Sequence, residues 1–241
     1  MFRIRSKFYK KEDMVFISHL DLIRLLERAF RRAEIPISYT RGFNPRPIMA
    51  FATALGIGIS SDGEYMDIEI SKKIELDKFI NSLNNQLPDG LQIVAAKYIP
   101  MKEGSLMAGV NYSSYLVKTN LLDRIEYKEI ENKIKNFLNL DEIIAIRQRK
   151  RGRRKRRGFS RINIRNQIKY IKLLKLVDKV LTLEMLLSTG SRGNLKPEIV
   201  IKKLEEEMNI PIKQNDTRVH RIELFNQIEP RTLTPLEDLN N

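Results

Sequence analysis

The chain has 241 residues, of which 42% are hydrophobic and 31% charged; it has no cysteine and carries a formal net charge of +14. That composition excludes a disordered polymer, and the missing thiols exclude a disulfide scaffold or disulfide-linked partner, a cysteine nucleophile, thiolate metal sites and an iron–sulfur cluster bound by this chain. So large a positive surplus favours a polyanion as partner, nucleic acid ahead of an anionic membrane, and no apolar run approaches the ~18 residues of a membrane span.

The first ten residues, MFRIRSKFYK, place Phe2, Ile4 and Phe8 at near-alternate positions and read as a strand. They hold no apolar stretch of the kind a secretory signal carries, so the chain is read as cytoplasmic. Ser18 then stands as a helix N-cap with Asp21 three residues on. Leu22, Leu25, Leu26, Ala29, Phe30 and Ala33 follow at helical spacing and form one apolar stripe, ended before Pro36. PISYT and PIMAFATAL read as short strands on either side of a Pro/Gly loop. EYMDIEI alternates, setting Asp67 and Glu69 on a solvent face; ELDKFINSLNNQLP is an amphipathic helix and GLQIVAAKYIP a closing strand.

Residues 101–109, MKEGSLMAG, read as a linker. A second series follows: strand NYSSYLVKT, helix YKEIENKIKNFLN, strand EIIAIRQRK, the strand-like SRINIRNQIKYIKLLKL, strand VLTLEMLLST, helix LKPEIVIKKLEEEM with Pro197 in its first turn, and strand RVHRIELF. The fold class implied is α+β: two tandem ferredoxin-like (βαββαβ) domains, antiparallel sheets with helices on one face. The domains span 1–100 and 110–226, with a basic insertion at about 147–161 between the second and third strands of the latter and a loose tail at 227–241.

Three stretches carry the resemblance to a family. FISHLDLIRLLERAFRRAEIPISYTRGFNPRP, GEYMDIEI and GNLKPEIVIKKL are similar to segments of the bacterial radical-SAM-linked proteins, the DUF2344 family. The resemblance spans nearly the whole chain and implies a partner more than a reaction. The partner is a radical SAM protein, and the iron–sulfur cluster and S-adenosylmethionine are then expected on that partner, with no cofactor on this chain. The arginine-rich insertion departs from the plainer family pattern.

That insertion is the strongest signal in the sequence. RQRKRGRRKRRGFSR holds ten cations and no acid: Arg147, Arg149, Lys150, Arg151, Arg153, Arg154, Lys155, Arg156, Arg157 and Arg161. Removing those ten from +14 leaves only +4. The plain alternative is a solvated loop; the functional reading is phosphate binding, with Phe159 and Tyr170 available to stack on bases. A second candidate is the stretch YTRGFNPRP. Gly42 permits a positive φ, and Pro45 and Pro47 remove two backbone donors, so it is a shaped turn rather than a central strand. Arg41, Phe43, Asn44 and Arg46 converge on it as a ligand, RNA or partner loop, against the plain alternative that Phe43 packs into the core.

His19, at the first helical position near Ser18 and Asp21, invites a triad reading. Consecutive helix-start residues point in different directions, so it is read instead as a neutral group bridging to the loop. His220 is read as structural or exposed. Two distant histidines, and an acidic cluster of Asp62, Glu64, Asp67 and Glu69 without calcium-loop spacing, give no metal site. GISSDG and STGSRGN are glycine turns that match no nucleotide-binding pattern, although the second, before a helix, could hold a phosphate. No catalytic residue is assigned.

The function expected from these readings is a non-catalytic accessory protein that binds ribosomal or transfer RNA and presents it to a radical SAM enzyme. The alternatives are an RNA-modifying or RNA-processing enzyme, by analogy with the tandem ferredoxin-like domains of tRNA pseudouridine synthases and CRISPR-type RNA endonucleases, and a ribosome-associated assembly protein.

Overall fold

A computed structural model describes residues 1–149, 158–190 and 193–240. The chain is a mixed α+β protein whose strands are mostly antiparallel. It divides into two compact units: Met1–Ser113, Thr189–Ser191 and His220–Asn241 form unit 1, and Ser114–Ser188 with Arg192–Val219 form unit 2.

Unit 1 opens with strand β1 (Phe2–Lys10) and helix α1 (His19–Arg32). Ser18 caps the helix as its sequence requires, its hydroxyl accepting from the Asp21 amide at 3.2 Å. The buried stripe is Leu22, Leu26, Ala29 and Phe30. Strands β2 (Met49–Phe51) and β3 (Ser60–Ile70), helix α2 (Leu76–Asn84) and strand β4 (Leu91–Ile99) complete the series. The strand order is β4-β1-β3 with β2 on the far side of β3, and all three pairings are antiparallel. The segment PISYT makes only single bridges, Ile37 to Ile70 and Tyr39 to Pro47, because the loop that follows turns the chain before a ladder can form.

The core of unit 1 joins the two helices to one sheet face: Leu26, Phe30, Phe79 and Leu83 meet Ile4, Phe8, Met66, Ile68 and Ile70. The other face is not the solvent face that the alternation of EYMDIEI implies. Asp67 is 2% exposed and accepts from Arg5 Nε at 2.8 Å and Arg3 Nη2 at 2.7 Å. The reason lies after Gln227. That segment does not trail: Leu236 is buried, Arg5 Nη1 donates to the Pro235 carbonyl at 3.1 Å, and Lys97 Nζ donates to the Leu236 carbonyl at 3.1 Å. In the 101–109 stretch, a short helix α3 (Leu106–Gly109) buries Leu106.

Unit 2 contains most of β5 (Tyr112–Leu121), helix α4 (Tyr127–Leu138), β6 (Ile144–Arg149), β7 (Gly158–Asn163), β8 (Ile168–Val177), β9 (Val180–Ser188), helix α5 (Pro197–Met208) and the first part of β10 (Ile212–Phe225). Its main sheet has the order β10-β5-β9-β8. Strands β6 and β7 pair only with each other, antiparallel, as a separate two-stranded sheet. The basic insertion therefore does not interrupt the second and third strands of the main sheet. Its described ends lie in β6 and β7, a strand pair inserted between α4 and β8, and β8 stands where EIIAIRQRK was expected. Ile164 and Ile168, both buried, close the connection from hairpin to sheet.

Candidate nucleic-acid interface

In unit 1 the stretch 39–47 forms a closed turn. The Thr40 amide donates to the Arg46 carbonyl at 2.8 Å, and the Arg46 amide donates back to the Thr40 hydroxyl at 3.0 Å. Gly42 has φ +132°, which an L side chain rarely adopts. Pro45 and Pro47 fix two more torsions. Phe43 is not in the core: it stands at the tip, 107% exposed. Arg41, Asn44 and Arg46 are exposed beside it, and Tyr39 is partly open at the base. Among the described residues no carboxylate pairs with Arg41 or Arg46.

A cleft of about 490 Å³ runs between the base of this turn and the outer side of α1. Leu20, Ile23, Met49 and Phe51 give it an apolar floor, and Arg24, Glu27 and Arg46 stand among its lining. His19 does not bridge to the turn. Its ring packs edge-on against Phe51, with centroids 5.0 Å apart. Burial lowers its basicity; Glu64 opposes that shift and Lys10 adds to it.

Near His19 lies a polar cluster, buried at Lys10, Glu64 and Arg221 and half-exposed at Asp62 and Lys11, that sequence reasoning did not assemble. Ser60, Asp62 and Glu64 alternate on β3, and each is held by His220 or Arg221 of β10. Glu64 accepts from Arg221 Nη1 at 2.8 Å, and the same nitrogen reaches the Thr53 hydroxyl at 3.1 Å. Lys10, 2% exposed, donates to the Ile17 carbonyl at 3.1 Å. Desolvation pulls its pKa below the ordinary lysine value, with Glu64 partly opposing. Asp62 pairs with Lys11 at 2.6 Å and His220 Nε2 at 2.9 Å, while His220 Nδ1 lies 2.8 Å from the Ser60 hydroxyl. Partial burial pushes Asp62 up, but the bonds from Lys11 and His220 outweigh it and hold the carboxyl below its usual range. Asp62 and Ser60 thus hold the His220 ring at both of its nitrogens. The arrangement ties β10 to β3, which pair in parallel at His220–Ser60 and Arg221–Ser61. The signal available in the sequence was the DGE spacing, readable only once a partner strand from residues 212–225 is known.

In unit 2 the basic hairpin sets Gln148 opposite Phe159 and Ile146 opposite Arg161. Those positions share one face. Ile146 is 71% and Phe159 68% exposed, and Arg161 is exposed with them. The side chains of Arg147 and Arg149, and the whole of Lys150, Arg151, Arg153, Arg154, Lys155, Arg156 and Arg157, lie outside what is described. So do Ser191 and Arg192 of STGSRGN. The Tyr170 hydroxyl donates to Glu184 at 2.5 Å, and Lys172 Nζ stands over its ring, 4.6 Å from the centroid. The two candidate surfaces fall in different units.

Among the described residues no group of three His, Asp or Glu is placed to hold a metal ion, and no helix is long and apolar enough to cross a membrane. Fold and surfaces together define a mixed α+β protein with two exposed, cation-flanked aromatic side chains. The chain belongs to the family described as "Uncharacterized protein conserved in bacteria (DUF2344)", whose profile matches residues 3–197. Among solved structures it is similar to a Cbf5-Nop10-Gar1 complex at 8% identity, covering 90% of this chain and 47% of that one, with TM-score 0.50. An archaeal box H/ACA sRNP Nop10-Cbf5 complex (8% identity, 90% and 46% coverage, TM-score 0.48) and an H/ACA RNP bound to a substrate RNA containing 2′-deoxyuridine (9%, 91% and 46%, 0.46) are also similar. The chain thus spans about half the length of the chains it matches, and at such identity the likeness to the first is one of fold. No curated protein matches it.

Proposed function

We propose that this chain is an RNA-binding protein that presents RNA to an enzyme acting in trans. The observation that carries the reading is the basic hairpin. Ten cations without an acid span 147–161, and the strands at the two ends of that span, β6 and β7, form a sheet of their own. A segment that only connected two strands of the main sheet would need no such hairpin, and ten like charges repel unless an anion neutralises them. The exposed Phe159 beside Arg161 adds a stacking platform next to that charge, the combination that single-stranded nucleic acid engages.

The catalytic partner is a radical SAM protein. What supports this is the sequence resemblance to radical-SAM-linked proteins and a chain without cysteine, which cannot ligate an iron–sulfur cluster through thiolates. Each unit is a ferredoxin-like βαββαβ domain. The antiparallel order β4-β1-β3-β2 in unit 1 and the order β10-β5-β9-β8 in unit 2 both support that reading.

The test is crosslinking in the protein's own cells followed by sequencing of attached RNA, beside affinity capture of protein partners. One dominant RNA site, together with a captured radical SAM protein, is expected. No RNA enrichment over an equally basic control protein overturns RNA binding. RNA turnover by the purified chain alone overturns the accessory role.

A further inference from the structure

We infer that the closed turn 39–47 and the cleft beneath it form a second RNA contact, which holds one unpaired nucleotide with its base stacked on Phe43. This rests on the RNA reading and adds a site to it. Phe43 is fully exposed on a turn that two hydrogen bonds and two prolines hold in shape. A large aromatic ring kept in water on a preorganised support costs little entropy when a ligand meets it.

The surroundings select the ligand. Phe43 has Arg41, Asn44 and Arg46 around it. The two guanidiniums lack carboxylate partners among the described residues and are suited to bidentate phosphate contacts. Asn44 supplies a donor and an acceptor for a base edge. The cleft offers Leu20, Met49 and Phe51, with Arg24 and the single carboxylate Glu27 on the α1 side away from the turn, and its volume of about 490 Å³ lies within the ~300–1,000 Å³ range of small-ligand sites. Stacking platform, phosphate donors and an apolar recess thus meet at one turn, the set of contacts a splayed nucleotide uses.

The experiment uses the full chain and a short single-stranded RNA carrying 5-iodouridine, with photocrosslinked peptides mapped by mass spectrometry. Crosslinks to the peptide bearing Phe43 are expected, and Phe43→Ala should weaken binding about tenfold, within the range for loss of one base stack. Phe43 touches no core residue, so that variant should melt like the parent. Crosslinks confined to the Phe159 region, with Phe43→Ala binding as tightly as the parent, overturn the site while leaving the basic hairpin's role intact. If Phe43→Ala abolishes binding of an acidic peptide but spares RNA, the site is a protein-docking site and the inference fails. If the parent chain binds no RNA, the function proposed above fails first, and this site with it.

Discussion

Arg221 Nη1 lies 2.8 Å from Glu64 Oε1, and the two side chains are 5% and 6% exposed. A charge pair so sealed from water is held by geometry rather than by net gain, because desolvation cancels most of the attraction. Removing one partner leaves the other buried and uncompensated. Glu64→Gln should therefore destabilise the protein by about 3–5 kcal/mol, read as a lowered urea midpoint at constant slope. Combining it with Arg221→Met removes both charges and should recover most of the loss. If the double variant is as unstable as the single, the pair's hydrogen bonds rather than its charges hold β10 on β3.

His19 makes a prediction about acid. Burial places its folded pKa below the ordinary 6.5. Between the folded value and 6.5 the unfolded chain therefore binds a proton that the folded chain does not. Stability should fall as pH drops through 6.5 and level off once folded His19 also protonates. His19→Gln keeps the edge-on packing on Phe51 in part but removes the titration. Melting temperatures across that window should fall less steeply for the variant than for the parent. Equal slopes would move the acid sensitivity elsewhere.

The legible parts of the molecule were those whose signal is local. Ser18, Asp21 and the stripe from Leu22 to Phe30 fix α1 by capping and period alone. The same reasoning failed for Asp67. An alternating strand with acids on one face reads as half-solvated, and only the distant 233–236 segment and Arg3 and Arg5 show why that face is covered. It failed again for the insertion. EIIAIRQRK and SRINIRNQIKYIKLLKL both have strand character, and nothing local says which of them joins the main sheet. At the turn 39–47 the shape was readable from Gly42, Pro45 and Pro47. Whether Phe43 pointed inward or outward was not, since turn chemistry fixes the backbone and not which way the side chain at its tip faces.

Gly63 shows the limit of reading glycine as punctuation. GISSDG looks like a turn, yet Gly63 sits inside β3. A Cβ there would approach the Glu223 Cα at 2.7 Å and the Ile222 carbonyl oxygen at 2.9 Å. Glycine is needed for the close approach of another backbone, not for a bend. Gly63→Ala should cost about 1–3 kcal/mol through that overlap. It should also weaken the neighbouring His220–Ser60 contact. Hydrogen exchange should then show faster opening of 220–225 while α2 stays protected. An unshifted melting temperature would mean that the two strands separate without cost.

The basic hairpin makes the most direct prediction. Each phosphate contact on a single strand contributes a slope of about −0.7 in log affinity against log salt. Replacing Arg151, Arg153, Arg154 and Arg156 by Gln removes four cations from a stretch whose flanking strands pair only with each other. If each meets a phosphate, the slope should shrink by about 3. Affinity at low salt should drop far more than at high salt, where screening has already weakened the parent. The melting temperature should hold or rise, because relieving like-charge repulsion takes nothing from the core. An unchanged slope would mean that these cations are solvated and the polyanion is bound elsewhere. A large fall in melting temperature would mean that they pair with acids of the fold and support the structure.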